Sequence, residues 1–151
     1  MNIYFSGIGS VGLGPLAEIA RDAGHTVHGS DAHESLTTAE LQSRGITVSN
    51  DQSGDYLAYC HVQQPIEWLG YTSALPDNHP ELVKARQLGI YTAKRDELIN
   101  YIIKEKNLKL IAVAGTHGKT TTTAMLVWTF RQLGIPVSFS VGSNMSFAPS
   151  G

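Results

Sequence analysis

Residues 2–14 read Asn-Ile-Tyr-Phe-Ser-Gly-Ile-Gly-Ser-Val-Gly-Leu-Gly, and they decide the fold. Residues 2–6 are a short β-prone run. Gly7, Gly9 and Gly12 follow at the spacing Gly-x-Gly-x-x-Gly, after which Leu13, Leu16, Ala17, Ile19 and Ala20 recur at helical spacing. The reading is strand, glycine turn, helix. Gly24 supplies the helix stop, and Thr-Val-His-Gly-Ser at 26–30 forms a second strand that delivers Asp31 to its carboxyl end, 19 residues past Gly12. The first glycine permits the tight turn, the second lets a phosphate approach bare backbone, and the third lets helix and strand pack closely. The helix N-terminus then faces a diphosphate, with Asp31 placed to accept from a ribose or sugar hydroxyl.

Moving outward, Thr37-Thr-Ala-Glu40 has the pattern of a capping box and predicts a helix through Arg44, with Gly45 ending it and a strand at 46–48. Residues 54–64 fit neither period cleanly, and Pro65 tips them toward a helix that ends before it. A strand is expected at 68–72, a helix from Asn78-His-Pro-Glu81 to Leu88-Gly89, a strand at 90–92, and a helix from about 96 to 106 whose Leu98, Tyr101, Ile102 and Ile103 pack onto the sheet. Such alternation predicts an α/β, Rossmann-like parallel sheet over residues 1–106.

The alternation then restarts. Residues 110–114 are continuously apolar, as expected of a parallel strand covered on both faces. They lead into Gly115-Thr-His-Gly-Lys-Thr-Thr121, a helix to Leu133, Gly134, a strand at 137–140, and a Ser-, Gly- and Pro-rich tail at 142–151. Gly118-Lys119-Thr120 at a helix start is a phosphate-binding loop: backbone N–H groups surround phosphates, Lys119 neutralises β and γ charges, and the Thr120 hydroxyl is offered to Mg²⁺. The loop is shorter than the usual P-loop, since Val113 stands five positions before Gly118 where a glycine is usual. ATP is the expected ligand. One strand–loop–helix–strand unit buries too little apolar surface to stand alone, so the sequence is expected to stop inside a second domain occupying 107–151.

The composition agrees. Of 151 residues 42% are hydrophobic and 16% charged, with a net charge of −2, which excludes collagen-like, mucin-like and disordered chains. Residues 1–100 carry 12 acidic and 6 basic side chains (−6), and residues 101–151 carry 1 and 5 (+4). That asymmetry suits the second unit to anions but falls short of a nucleic-acid-binding signature. Cys60 alone excludes an internal disulfide and a four-cysteine metal site, and its aromatic neighbours suit a small core residue. No apolar run reaches the roughly 18 residues that cross a bilayer, and the first ten residues lack signal-peptide character, so a cytoplasmic protein without membrane insertion is expected. His25 and His28 flank a strand and point to opposite faces, which suits structural rather than metal-binding roles; the same is expected of His33, His61 and His79.

The glycine loop at 7–12, His28-Gly-Ser-Asp31, Tyr71-Thr-Ser-Ala-Leu75 with Asn78-His-Pro-Glu81, and Ala114-Gly-Thr-His-Gly-Lys-Thr-Thr-Thr-Thr123, in this order and spacing, resemble the Mur ligases of peptidoglycan synthesis. His117 narrows the resemblance to the alanine-adding member and its tripeptide-recycling relative. The resemblance implies a Rossmann-like domain holding the UDP-sugar, a central ATPase domain and a C-terminal domain. It also implies a reaction in which ATP phosphorylates the carboxylate of UDP-N-acetylmuramate and the amine of L-alanine attacks the acyl phosphate. By matched motif it places Gly7, Ile8, Gly9, Ser10, Val11, Gly12, Asp31 and Ser73 at the UDP-sugar. Gly115, Thr116, His117, Gly118, Lys119, Thr120 and Thr121 fall at ATP, with Lys119 as the catalytic cation on the transferring phosphoryl group and Thr120 as the magnesium ligand. Ser10 stands where the family commonly has glycine, which adds a side chain beside the diphosphate. Without the rest of the parent enzyme, the chain is expected to be inactive alone. Taken by themselves, residues 7–12 and Asp31 also fit an NAD-dependent oxidoreductase, which leaves the second loop unexplained. A non-catalytic nucleotide-binding module is the third reading. The sequence carries no signal for oligomeric state.

Overall fold

The computed structural model describes residues 1–141; the tail read at 142–151 lies outside the described residues. In chain order the elements are β1 (Asn2–Ser6), α1 (Gly14–Asp22), β2 (Thr26–Ser30), α2 (Leu36–Ser43), β3 (Thr47–Ser49), α3 (Asp55–Gln63), β4 (Trp68–Tyr71), α4 (Pro80–Gln87), β5 (Tyr91–Lys94), α5 (Arg95–Glu105) and α6 (Lys119–Gln132). The five strands form one parallel sheet in the order β3-β2-β1-β4-β5. The expected α/β parallel sheet is therefore present, and the ambiguous stretch at 54–64 is a helix.

All five residues of the central strand β1 are buried, because helices cover both faces of the sheet. Ile3 and Phe5 join Leu16, Ala17 and Ala20 of α1 and Leu98 and Ile102 of α5 on one face. Tyr4 joins Leu57 and Cys60 of α3, Leu69 of β4 and Leu82 of α4 on the other. Cys60 is a core residue, and burial pushes its thiol above the usual range. Gly29 of β2 leaves no room for a side chain against β1. Gly29 is paired with Phe5, and a β-carbon on Gly29 would stand 2.6 Å from the Phe5 carbonyl oxygen and 2.7 Å from Ile8 Cδ1.

Three expectations are corrected. The capping box is formed by Ser35 and Thr38 rather than Thr37 and Glu40. Ser35 is extended, its Oγ accepts from Thr38 N at 3.2 Å, and Thr38 Oγ1 accepts from Ser35 N at 2.8 Å. A threonine thus does at the third helical position what a glutamate usually does. Second, residues 108–114 form no strand, and Leu110 and Ile111 are 62% and 59% exposed. Apolar character predisposes a segment to a parallel sheet, but hydrogen-bonded neighbours make it a strand, and no described strand pairs with it. Third, residues 137–140 are not a strand; Val137 and Phe139 pack with Ala124 against Val127 of α6.

Two buried or half-buried histidines predict a pH-dependent stability. Met1's ammonium donates to His25 Nδ1 at 3.3 Å, while His25 Nε2 lies 2.9 Å from Glu105 Oε2. Burial dominates and lowers the pKa of His25, against the smaller opposing pull of Glu105, and burial alone lowers that of His28. In the unfolded chain both take up protons near their ordinary value of about 6.5, while in the folded chain burial makes protonation harder. Stability contributed by the neutral histidines is full above that value and is lost as pH falls through it. The urea midpoint is expected to drop between about pH 8 and pH 5.5, and a His25→Gln/His28→Gln variant to flatten the drop. An unchanged slope in that variant would assign the dependence to other groups.

Candidate functional site

The strand order reverses between β1 and β4: β1 connects leftward to β2, while β4 continues rightward to β5. In open parallel sheets the loops leaving the carboxyl ends of two such strands diverge and open a crevice for ligands. Residues 7–13 leave β1 there, and Ser73 lies exposed on the loop leaving β4. Asp31 immediately follows β2. The fold thus brings residues 7–12, Asp31 and Ser73 to the carboxyl end of the sheet.

Most of the glycine loop is occupied by its own hydrogen bonds. Gly7 N and Ile8 N donate to the Ser30 carbonyl at 2.9 Å, Ser10 N to the Gly7 carbonyl at 3.1 Å, and Leu13 N and Gly14 N to the Ser10 carbonyl at 3.2 and 3.0 Å. Gly9 N donates to Asp31 Oδ2 at 2.8 Å, and Asp31 Oδ1 accepts from His33 N at 3.1 Å. Both oxygens of Asp31 are therefore engaged with backbone, and the carboxylate braces the turn. A β-carbon on Gly9 would meet Thr38 Cγ2 at 2.8 Å and Asp31 Oδ2 at 2.9 Å, so this glycine is required by the packing of the loop itself. Ser10 Oγ is turned toward Leu13 N at 3.4 Å.

Beneath the crevice lies a residue that sequence reading missed as functional. Glu81, fully buried in the first turn of α4, accepts hydrogen bonds from Tyr4 Oη at 2.7 Å, from Ser30 Oγ at 2.7 and 2.8 Å, and from Ser6 Oγ. Ser6 directly precedes the glycine loop and Ser30 directly precedes Asp31. Burial, reinforced by the Glu81 charge, raises the Tyr4 phenol far above its ordinary value and keeps it a donor. The available signal was indirect: Ser6 and Ser30 end two buried strands, and buried hydroxyls need acceptors. Arg95 was missed as well. It opens α5 and lays its side chain against Gly12, where a β-carbon would stand 3.4 Å from Arg95 Cδ and 3.5 Å from Nη1.

The second loop is built differently. Gly115 and Gly118 adopt φ values of +154° and +76°, conformations that suit glycine, and Gly118 caps α6. Residues 114–122 are exposed. Lys119 folds back over the loop, Nζ donating to the Gly115 carbonyl at 2.6 Å and the Thr116 carbonyl at 3.4 Å. Its ammonium is therefore held against the carbonyls of its own loop. Thr120 sits exposed in the first turn of α6; among the described residues no group of three or more His, Cys, Asp or Glu side chains stands ready to hold a metal. No helix among them is long and apolar enough to cross a membrane.

Comparison with known proteins adds independent support. Residues 2–107 match the Mur ligase family, catalytic domain. The UDP-N-acetylmuramate–L-alanine ligase of Frankia casuarinae is 37% identical over 145 residues, 96% of this chain and 28% of that protein. That of Caldicellulosiruptor saccharolyticus is 38% identical over 147 residues, covering 95% and 30%. The solved UDP-N-acetylmuramate-alanine ligase of Thermotoga maritima superposes with a TM-score of 0.87 at 30% identity, over all of this chain and 34% of that one. A murein peptide ligase from Psychrobacter arcticus superposes at 0.76 and 28% identity, over 97% and 30%. The chain spans about a third of the length of these relatives. With the parallel sheet, the glycine loop at its switch point and a matched stretch covering most of the sequence, the chain belongs to the Mur ligase family.

Proposed function

We propose that the protein acts as an ATP-dependent ligase that joins L-alanine to the carboxylate of UDP-N-acetylmuramate. In this reading residues 1–106 hold the UDP-sugar, and residues 107–151 begin the ATP-binding domain. The observation that carries it is the presence in one chain of two phosphate-suited turns, one at the β1/β4 switch point and one at the start of α6. An NAD-dependent oxidoreductase uses only the first. The alanine-ligase relatives favour alanine as the amine, and the tripeptide-recycling activity is the second reading, favoured by the superposition on a murein peptide ligase.

The chemistry is a phosphoryl transfer followed by an acyl transfer. A carboxylate oxygen attacks the γ-phosphorus and ADP leaves with the P–O bond electrons; the neutral alanine amine then attacks the acyl carbon and gives up a proton to solvent, and phosphate leaves with the C–O bond electrons as the amide forms. Positioning and charge neutralisation are the protein's main contributions to such steps. Lys119 supplies the cation at the transferring group, and the loop at 115–121, with His117 within it, supplies backbone N–H groups. Thr120 is the residue of this chain that would hold Mg²⁺, which would supply charge neutralisation at the phosphate oxygens. The rest of the parent enzyme completes the site, so the 151 residues alone bind without turnover.

Calorimetric titration of the chain with UDP-N-acetylmuramate, against NAD in the same buffer, tests the N-terminal half. Saturable binding of the UDP-sugar with no heat from NAD is expected. Binding of NAD alone would replace the ligase reading with the dehydrogenase.

A further inference from the structure

Any diphosphate seated at the glycine loop needs donors that are not already spoken for, and the loop has few. Of its backbone N–H groups, those of residues 7–10, Leu13 and Gly14 are all committed to acceptors within the chain. Val11 N and Gly12 N have no acceptor among the described residues, and Val11 is exposed. The loop also lacks countercharge. Residues 7–14 contain no Lys or Arg, and the surrounding unit is acidic overall. One cation does reach it. The Arg95 side chain runs along Gly12, with Nη1 and Nε 3.5 and 3.7 Å from where a Gly12 β-carbon would stand. Its other guanidinium nitrogen, Nη2, donates to Ser140 Oγ at 3.0 Å.

We infer that Arg95 is the phosphate-binding cation of the N-terminal site, and that it acts with the Val11 and Gly12 N–H groups to hold the diphosphate of a nucleoside-diphosphate ligand. The inference deepens the UDP-sugar reading and rests on it. It moves the diphosphate from the first half of the glycine loop, whose donors are engaged, to its second half. It also gives Ser140 a part: a hydrogen bond from one side of the guanidinium leaves the other side facing Gly12. Arginine suits the task because its planar fork presents several donors at once and keeps its charge at every working pH.

The test is titration of the 151-residue chain with UDP, UMP and uridine. Arg95 is exposed, so Arg95→Ala is expected to fold. Hydrogen bonds to charged groups are worth enough that UDP should bind roughly 10- to 100-fold more weakly to this variant. Uridine should be unaffected, and Arg95→Lys should recover part of the loss. The preference for UDP over uridine therefore narrows in Arg95→Ala, a readout that a purely structural role would not move. Equal UDP affinity in wild type and Arg95→Ala would overturn the assignment while leaving the UDP-sugar reading intact. A parallel loss of uridine would show the effect to be structural and would overturn it too. A wild-type chain that binds no UDP would remove the UDP-sugar reading and the inference with it.

Discussion

Glu81→Ala is expected to destabilise the fold by about 3–5 kcal/mol, a large part of the roughly 5–15 kcal/mol that holds a domain of this size together. Three hydroxyls, on Tyr4, Ser6 and Ser30, converge on this carboxylate in a fully buried place. Removing it leaves buried donors without an acceptor, each at a cost of about 1–3 kcal/mol where water does not enter, and leaves a cavity besides. Glu81→Gln keeps the volume and one acceptor oxygen and is expected to lose less than half as much. Urea denaturation gives both values. A loss under about 1 kcal/mol for Glu81→Ala would mean that the hydroxyls find other partners and that the carboxylate is not what joins α4 to β1 and β2. Replacing the whole cluster by apolar residues of similar volume is a different experiment, because no donor is then left unpaired.

Gly29→Val is expected to cost about 3 kcal/mol or more, through overpacking rather than loss of a contact. The β-carbon alone would come within 2.6 Å of the Phe5 carbonyl oxygen, which belongs to the ladder and has no freedom to withdraw. The second obstacle, Ile8 Cδ1 at 2.7 Å, is the buried anchor of the glycine loop, so any relief on that side moves the loop. Gly12→Ala is the control: its β-carbon meets only the flexible Arg95 side chain at 3.4 Å, and stability should stay within about 0.5 kcal/mol. Thermal and urea melts that rank the two substitutions in the opposite order would refute the packing argument.

The legible part of the fold was the part governed by local chemistry. The buried run at 2–6, the glycines after it and the apolar spacing of α1 specify a strand, a turn and a helix without help from the rest of the chain. Helix α4 was legible from Pro80 and Glu81, but the same two residues hid the function of Glu81, since an acid in a first helical turn is ordinarily explained by the helix dipole. Only the three-dimensional meeting of β1, β2 and α4 shows that it serves buried hydroxyls. The place of Asp31 at the carboxyl end of β2 was legible, but its partner, Gly9 N, was not, because backbone donors leave no trace in composition. Residues 110–114 show the limit most plainly. Their apolar run predicts a strand, yet strand formation depends on neighbours, and neighbours are a property of the whole sheet. Arg95 escaped notice because it is one of two consecutive basic residues at a helix start, a common surface pattern; its place beside Gly12 depends on β5 ending next to β4 at the switch point.

The sharing of one core face by α1 and α5 sets an order on how the chain can be assembled. Leu16, Ala17 and Ala20 belong to the first helix made, yet they are sealed by Leu98 and Ile102 of α5, some eighty positions later. During synthesis the opposite face, built from β1, α3, β4 and α4, can close while α1 still lacks its final cover. The sheet therefore waits, half clothed, until α5 has left the ribosome, and that helix acts as the clasp that completes the unit. A shortened gene product ending ahead of Leu98 would keep the glycine loop and all five described strands, yet would present the apolar side of α1 to chaperones and proteases.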